Sequence, residues 1–166
     1  KKEKIRICAT GFLHKKEIQS HNIMIKLLPK AIIKNNSDFI DSIVSIVKDS
    51  NDQNNRDLIW NTFIDSTFEY FEPLKNKSVD GIWKNLNTSY PQEDFLQTLF
   101  SSFVSLIHSF EVNKEQGIEN LQIPRIEELY YFLFDVIINN KLIYFRITNQ
   151  LIDLLNLIIA VKPSLV

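Results

Sequence analysis

Few side chains in this sequence could do chemistry: the histidines His14, His21 and His108, the single Cys8, and the adjacent pair Glu127 and Glu128. A zinc centre needs His or Cys ligands at short fixed spacings, as in HExxH or a pair of CxxC motifs. His14 and His21 stand seven apart, but KKEIQS between them is expected to break a helix, and there is no second cysteine. A nucleophilic Ser or Cys needs a base beside it and commonly sits on a strained turn such as GxSxG. That motif is absent, and Cys8, within IRICATGF, reads as a small buried hydrophobe. Gly11, Gly81 and Gly117 are isolated, so no glycine-rich loop can cradle a phosphate. Neighbouring positions of a helix point about 100° apart, so Glu127 and Glu128 do not converge on one proton. Their place in the first turn of an expected helix explains them electrostatically. His108, between Ile107 and Phe110 on a helix edge, reads as partly buried and hydrogen-bonded rather than as a ligand or base. No catalytic, cofactor-binding or metal residue is therefore expected, and the chain reads as a non-enzyme.

The elements around these residues are helical. Three glycines and five prolines in 166 residues leave few tight turns, which favours long helices over a many-stranded sheet. A composition 45% hydrophobic and 23% charged fits one ordered domain with a real core, residues 1–166. The net charge of −1 provides no overall field for nucleic acid, and the aromatics follow apolar stripes rather than alternating with bases. The basic clusters KKEK and HKKE each carry a carboxylate and read as solvated helix faces. One cysteine cannot close an internal disulfide, which points to a reducing compartment. No apolar run approaches the ~20 residues of a membrane span. The sequons at Asn35, Asn76 and Asn87 are what chance supplies in an Asn-rich chain. The chain opens on Lys and ends on KPSLV just past an apolar helix, so it is expected to be a piece of a longer protein.

Eight segments have helical character. Glu3 to Leu13 is short, and His21 to Lys34 contains Pro29, which predicts a kink or two short helices. Ser37 is the expected N-cap of a third, with Ile40, Ile43, Val44 and Val47 on one face. After a polar linker, Ser50 to Asn55, a fourth is expected from Arg56 to Phe71, placing Trp60, Phe63, Ile64, Phe68 and Phe71 on neighbouring turns and ending at Pro73. A short helix near Val79 to Leu86 would carry Trp83. The sixth opens at Pro91 and holds the stripe Phe95, Leu96, Leu99, Phe100, Phe103, Val104, Ile107 and Phe110. The seventh, from Pro124 to Asn139, is apolar almost all round and is therefore expected at the centre. The eighth, Phe145 to Lys162, ends before Pro163.

Three of these helices share a pattern: DLIWNTF from Asp57, DFLQTLF from Asp94 and ELYYFLF from Glu128, with starts 37 and then 34 residues apart. Helix pairs recurring every 34 to 47 residues characterise stacked α-solenoids. The expected fold is all-α, with antiparallel helix pairs stacked as a HEAT/armadillo-like α-solenoid; the alternative is a compact irregular helical bundle. These DLIWNTF-like helices, followed by a proline-started helix, resemble the helical-repeat regions of large Arf-exchange-factor-type Golgi trafficking proteins. That family's exchange activity lies in a separate catalytic domain, so the resemblance implies a scaffold and assigns no site residue. It also implies a cytoplasmic location, at the periphery of Golgi or endosomal membranes through the parent protein.

The functional expectation is a non-catalytic scaffold that binds other proteins, with a nuclear transport receptor fragment, or a helical domain with a small-ligand pocket, as alternatives. For a pocket, the sequence offers Tyr130, Tyr131 and His108 as polar atoms within the apolar stripes. The candidate partner surface lies on the last helix. Arg146, Asn149, Gln150, Asp153 and Asn156 recur at three and four and make a continuous polar stripe opposite the leucines. The loop Asn113 to Gln122 is a second candidate contact.

Overall fold

The computed structural model describes residues 22–49, 53–75, 93–110, 121–139 and 145–166. The segment Glu3 to Leu13, Cys8, His14, His21, the short helix with Trp83, Pro91 and most of the Asn113 to Gln122 loop lie outside them. The described residues form helices α1 (22–33), α2 (Ser37–Asp49), α3 (Gln53–Lys75), α4 (Glu93–Ser109), α5 (Ile126–Asn139) and α6 (Phe145–Val161), then a 3-10 turn at Pro163–Leu165. No strand occurs among them, and no helix among them is long and apolar enough to cross a membrane.

Local chemistry explains the ends of these elements. α1 is continuous through Pro29, so the reading as two short helices is corrected. Burial of Ile25, Leu28, Ala31 and Ile32 along one face offsets the backbone bond that proline forgoes. The helix closes in a Schellman arrangement. Asn35 takes a left-handed φ of 55°, Asn36 N–H reaches Ala31 O at 2.9 Å, and Asn35 N–H reaches Ile32 O at 3.1 Å. The Asn35 side chain accepts a hydrogen bond from Tyr70 Oη at 2.9 Å, which ties this corner to α3.

The N-cap of α2 is Asn36, not Ser37. Asn36 Oδ1 accepts from Phe39 N at 3.2 Å, and its carbonyl accepts the first helical bond, from Ile40 N. Replacing Asn36 by alanine is expected to cost about 1 kcal/mol, read as a lower urea midpoint. Ser37→Ala should leave the midpoint unchanged; a larger loss from Ser37→Ala would return the cap to that residue.

α3 is longer at both ends than the sequence suggests. Gln53 to Asn55, expected in the linker, form its first turn, where Gln53 Nε2 donates to Asp57 Oδ1 at 2.9 Å. Its backbone continues past Pro73 to Lys75.

Aromatic side chains set the packing directions. Trp60 meets Phe103 and Phe110, and Tyr70 meets Phe95, so α3 and α4 run antiparallel. Asp65 pairs with Arg125 at 2.8 Å, and Phe68 and Phe71 both meet Phe132, so α3 and α5 run parallel. Lys162 at the end of α6 pairs with Glu127 at the start of α5, an antiparallel contact. Gln150 Nε2 donates to Gln97 O at 3.0 Å, near the starts of α6 and α4, which run parallel. α2 packs on α4 and α4 on α6, making one row; α3 and α5 make a second.

The centre is α4, not α5. α4 buries Phe95, Leu96, Leu99, Phe100, Phe103, Leu106 and Ile107, with Phe110 just beyond. α5 leaves Tyr131, Phe134 and Ile138 exposed by 62%, 47% and 57%. These three lie at i, i+3 and i+7, one face of the helix. Apolar content made α5 look central, but α4 has neighbours on both sides of its row and α3 across from it.

The three similar segments do not occupy equivalent places. Those starting at Asp57 and Glu128 lie in one row, on α3 and α5, and the one starting at Asp94 lies in the other, on α4. Their closing phenylalanines also differ: Phe63 and Phe100 are fully buried, Phe134 is not. Same-row helices start at Ser37, Glu93 and Phe145, 56 and 52 residues apart, wider than the expected period. The shared pattern is therefore that of a helical segment opening on a carboxylate, which falls in the first turn of α4 and α5 and in the second turn of α3.

Candidate functional site

α6 divides into two faces. Ile147, Leu151, Leu154, Ile158 and Val161 are buried. Arg146, Asn149, Asp153 and Asn156 are exposed, and Gln150 is half-buried. Four of these five polar residues, all but Asn156, line an open groove of about 1260 Å3, open solvent included. Asp41 of α2 and Asp94, Gln97, Thr98 and Ser101 of α4 complete its lining. The stripe expected from the sequence is thus one wall of a surface shared by all three helices of the row. Asn156 lies one turn beyond it.

The five further residues had a signal in the sequence. Asp94, Gln97, Thr98 and Ser101 stand at i, i+3, i+4 and i+7, and so do Asp38, Asp41, Ser42 and Ser45 on α2. Each is a polar stripe of the kind recognised on α6. Spacing shows which residues share a face of one helix. It does not show that the faces of three helices meet.

Gln150 is the fixed element of the groove. Its Nε2 bonds to the Gln97 carbonyl, and its Oε1 is buried without a donor. The charged members, Asp41, Asp94, Asp153 and Arg146, form no ion pair among the described residues. Three carboxylates against one guanidinium leave the groove net negative. Among the described residues no group of three His, Cys, Asp or Glu side chains is placed to hold a metal ion.

Among the described residues, those weighed for chemistry do not gather elsewhere. Glu127 and Glu128 turn to different partners, Glu127 to Lys162 and Glu128 to Arg125 in a two-pronged contact with Nε and Nη2 at 2.9–3.1 Å. The hydrogen bonds that Arg125 donates to Glu128 hold its proton more tightly than usual; burial opposes them, and the Asp65 carboxylate reinforces them. His108 is exposed in the last turn of α4, which corrects the expectation of partial burial. Tyr131 is exposed on α5, and Tyr130, half-buried, stacks on Phe134. No family model matches the chain, and neither a curated protein nor a solved structure matches it.

Proposed function

We propose that this chain is part of a non-catalytic protein-interaction scaffold, with its helix rows stacked as a HEAT/armadillo-like α-solenoid and the α2–α4–α6 groove as its partner surface. One observation carries the reading: the polar stripes of α4 and α6 face a single groove, which Asp41 of α2 completes. In solenoids the helices of one row line an extended binding surface. The parallel pairs α4–α6 and α3–α5 and the antiparallel pair α3–α4 agree with that architecture. Membrane trafficking, as the process served, rests on the sequence resemblance alone.

The test is affinity capture from a cytosolic extract with the natural chain and with an Arg146→Glu, Asp153→Lys variant. Both residues are exposed, so the variant should unfold at the same urea concentration. The expected result is a partner held by the natural chain and lost by the equally folded variant. Equal capture by both would remove the groove from the reading. Capture that survives in the variant but fails when Tyr131 and Phe134 are replaced by serine would move the partner to the exposed face of α5.

A further inference from the structure

α5 and α6 each carry a second apolar strip besides the one in the core. On α5 it is the exposed Tyr131, Phe134 and Ile138. On α6 it is the exposed Ile152, with the half-buried Leu155 and Ile159. Successive helix positions turn by about 100°, so Phe134 lies about 200° round α5 from Phe132, the residue that meets α3. Ile152 and Ile159 lie about 200° and about 180° round α6 from Gln150, the residue bonded to α4. The strip of α5 therefore faces away from α3, and that of α6 faces away from α4. Because α5 and α6 pack on each other, both strips look out of the same end of the two rows.

The size of this end face matches a particular occupant. Side chains of this size present about 150–250 Å2, so Tyr131, Phe134, Ile138 and Ile152 leave about 400 Å2 of apolar surface in water. A homodimer interface of standard size covers about 800 Å2 per partner, about 65% of it apolar. With the open parts of Leu155 and Ile159, the face approaches that requirement. None of these side chains is charged, so the face can meet its own copy without setting like charges together. The Glu127–Lys162 pair fixes the antiparallel register of the two helices. Counting from it, Tyr131 stands level with Ile158 and Ile138 with Leu151, so Ile159 and Ile152 lie one position from those levels.

We propose that this end face binds a second copy of the chain about a two-fold axis parallel to the helices, with α5 of each copy over α6 of the other. Such an axis preserves the register, and brings Tyr131 over Ile159 of the partner subunit and Ile138 over Ile152 of the partner subunit. The rings of α5 then meet the smaller isoleucines of α6. Packing α5 on α5 would set ring against ring and leave the α6 strip uncovered. The four helices form an antiparallel arrangement of the kind found in bundles. No residue of the face lines the α2–α4–α6 groove, so the proposal does not depend on the scaffold reading.

The test is sedimentation equilibrium of the intact chain over about 1–200 μM, where an interface of this size with modest affinity dissociates. The mass is expected to rise from 19.5 kDa towards twice that value and to stop there. Ile138→Lys and Ile152→Glu, both at exposed positions, should unfold at the urea concentration of the natural chain. Each should stay at monomer mass, because the contact would bury a lone charge. An equimolar mixture of the two variants should recover dimers, since the introduced lysine and glutamate then face each other across the contact. Monomer mass throughout for the natural chain, undiminished association in both variants, or no recovery in the mixture would each overturn the proposal. Masses that continue past the dimer would also overturn it, and would show the face stacking on a different surface of the next molecule.

Discussion

Replacing Trp60 by alanine is expected to lower the stability of the chain by about 3–5 kcal/mol, a large share of the 5–15 kcal/mol typical of a domain. Trp60 is fully buried on α3. Its ring meets Phe103 at 5.8 Å and Phe110 at 5.7 Å between centroids, both edge to face, at the end of α4. Its Nε1 donates to Pro124 O at 2.6 Å, immediately before α5. One side chain therefore ties three helices. Alanine would leave a cavity among the rings and a carbonyl without its donor, and the two losses add. Trp60→Phe separates them: it keeps most of the ring packing, gives up the hydrogen bond, and should cost about 1–3 kcal/mol. Urea unfolding followed by far-ultraviolet circular dichroism reads both. A loss below about 1 kcal/mol for alanine would show that α3 and α4 do not pack through this residue.

The second large effect distinguishes neighbours on α5. Phe132→Ala should cost about 3–5 kcal/mol, because Phe132 is buried against Phe68 at 4.5 Å and Phe71 at 5.6 Å. Phe134→Ala should cost no more than about 1 kcal/mol, since Phe134 is half in water and loses chiefly its stacking on Tyr130. The same chemical change two residues apart thus reports which face of α5 is inside. Similar large losses at both positions would put α5 at the centre, as its composition suggests. A larger loss at Phe134 would mean that the helix is rotated.

The helices themselves were legible in the sequence. Ile40, Ile43, Val44 and Val47 of α2 are buried as their spacing predicts, and so is the α4 stripe apart from half-buried Val104. The carboxylates Glu93, Asp94, Glu127 and Glu128 do lie in first turns. Errors arose where two local solutions compete. Asn36 and Ser37 are both good caps, and the choice fell to Asn36 because the preceding helix closes through Asn35 in the left-handed region. Gln53 to Asn55 read as a linker because they are polar, yet polar residues serve equally well in the first turn of an exposed helix start.

The candidate groove was half legible. Arg146, Asn149, Gln150 and Asp153 were recognisable because amphipathic periodicity belongs to one helix and can be read along the chain. Asp41 and Asp94 join them only because α2, α4 and α6 lie side by side. That arrangement rests on contacts such as Gln150 with Gln97, 53 residues apart. The sequence alone determined that the described segments are helical, which face α2 and α4 hide, and that the last helix carries a polar stripe. Only the tertiary structure decided that α4 takes the centre, that α5 keeps an apolar face in water, and that Arg56 is buried against two neutral acceptors, Ser109 O and Gln53 Oε1. The physical reason is that hydrophobic burial is non-directional. It states that an apolar face must be covered, and the shapes and hydrogen bonds of residues far apart in the chain settle what covers it.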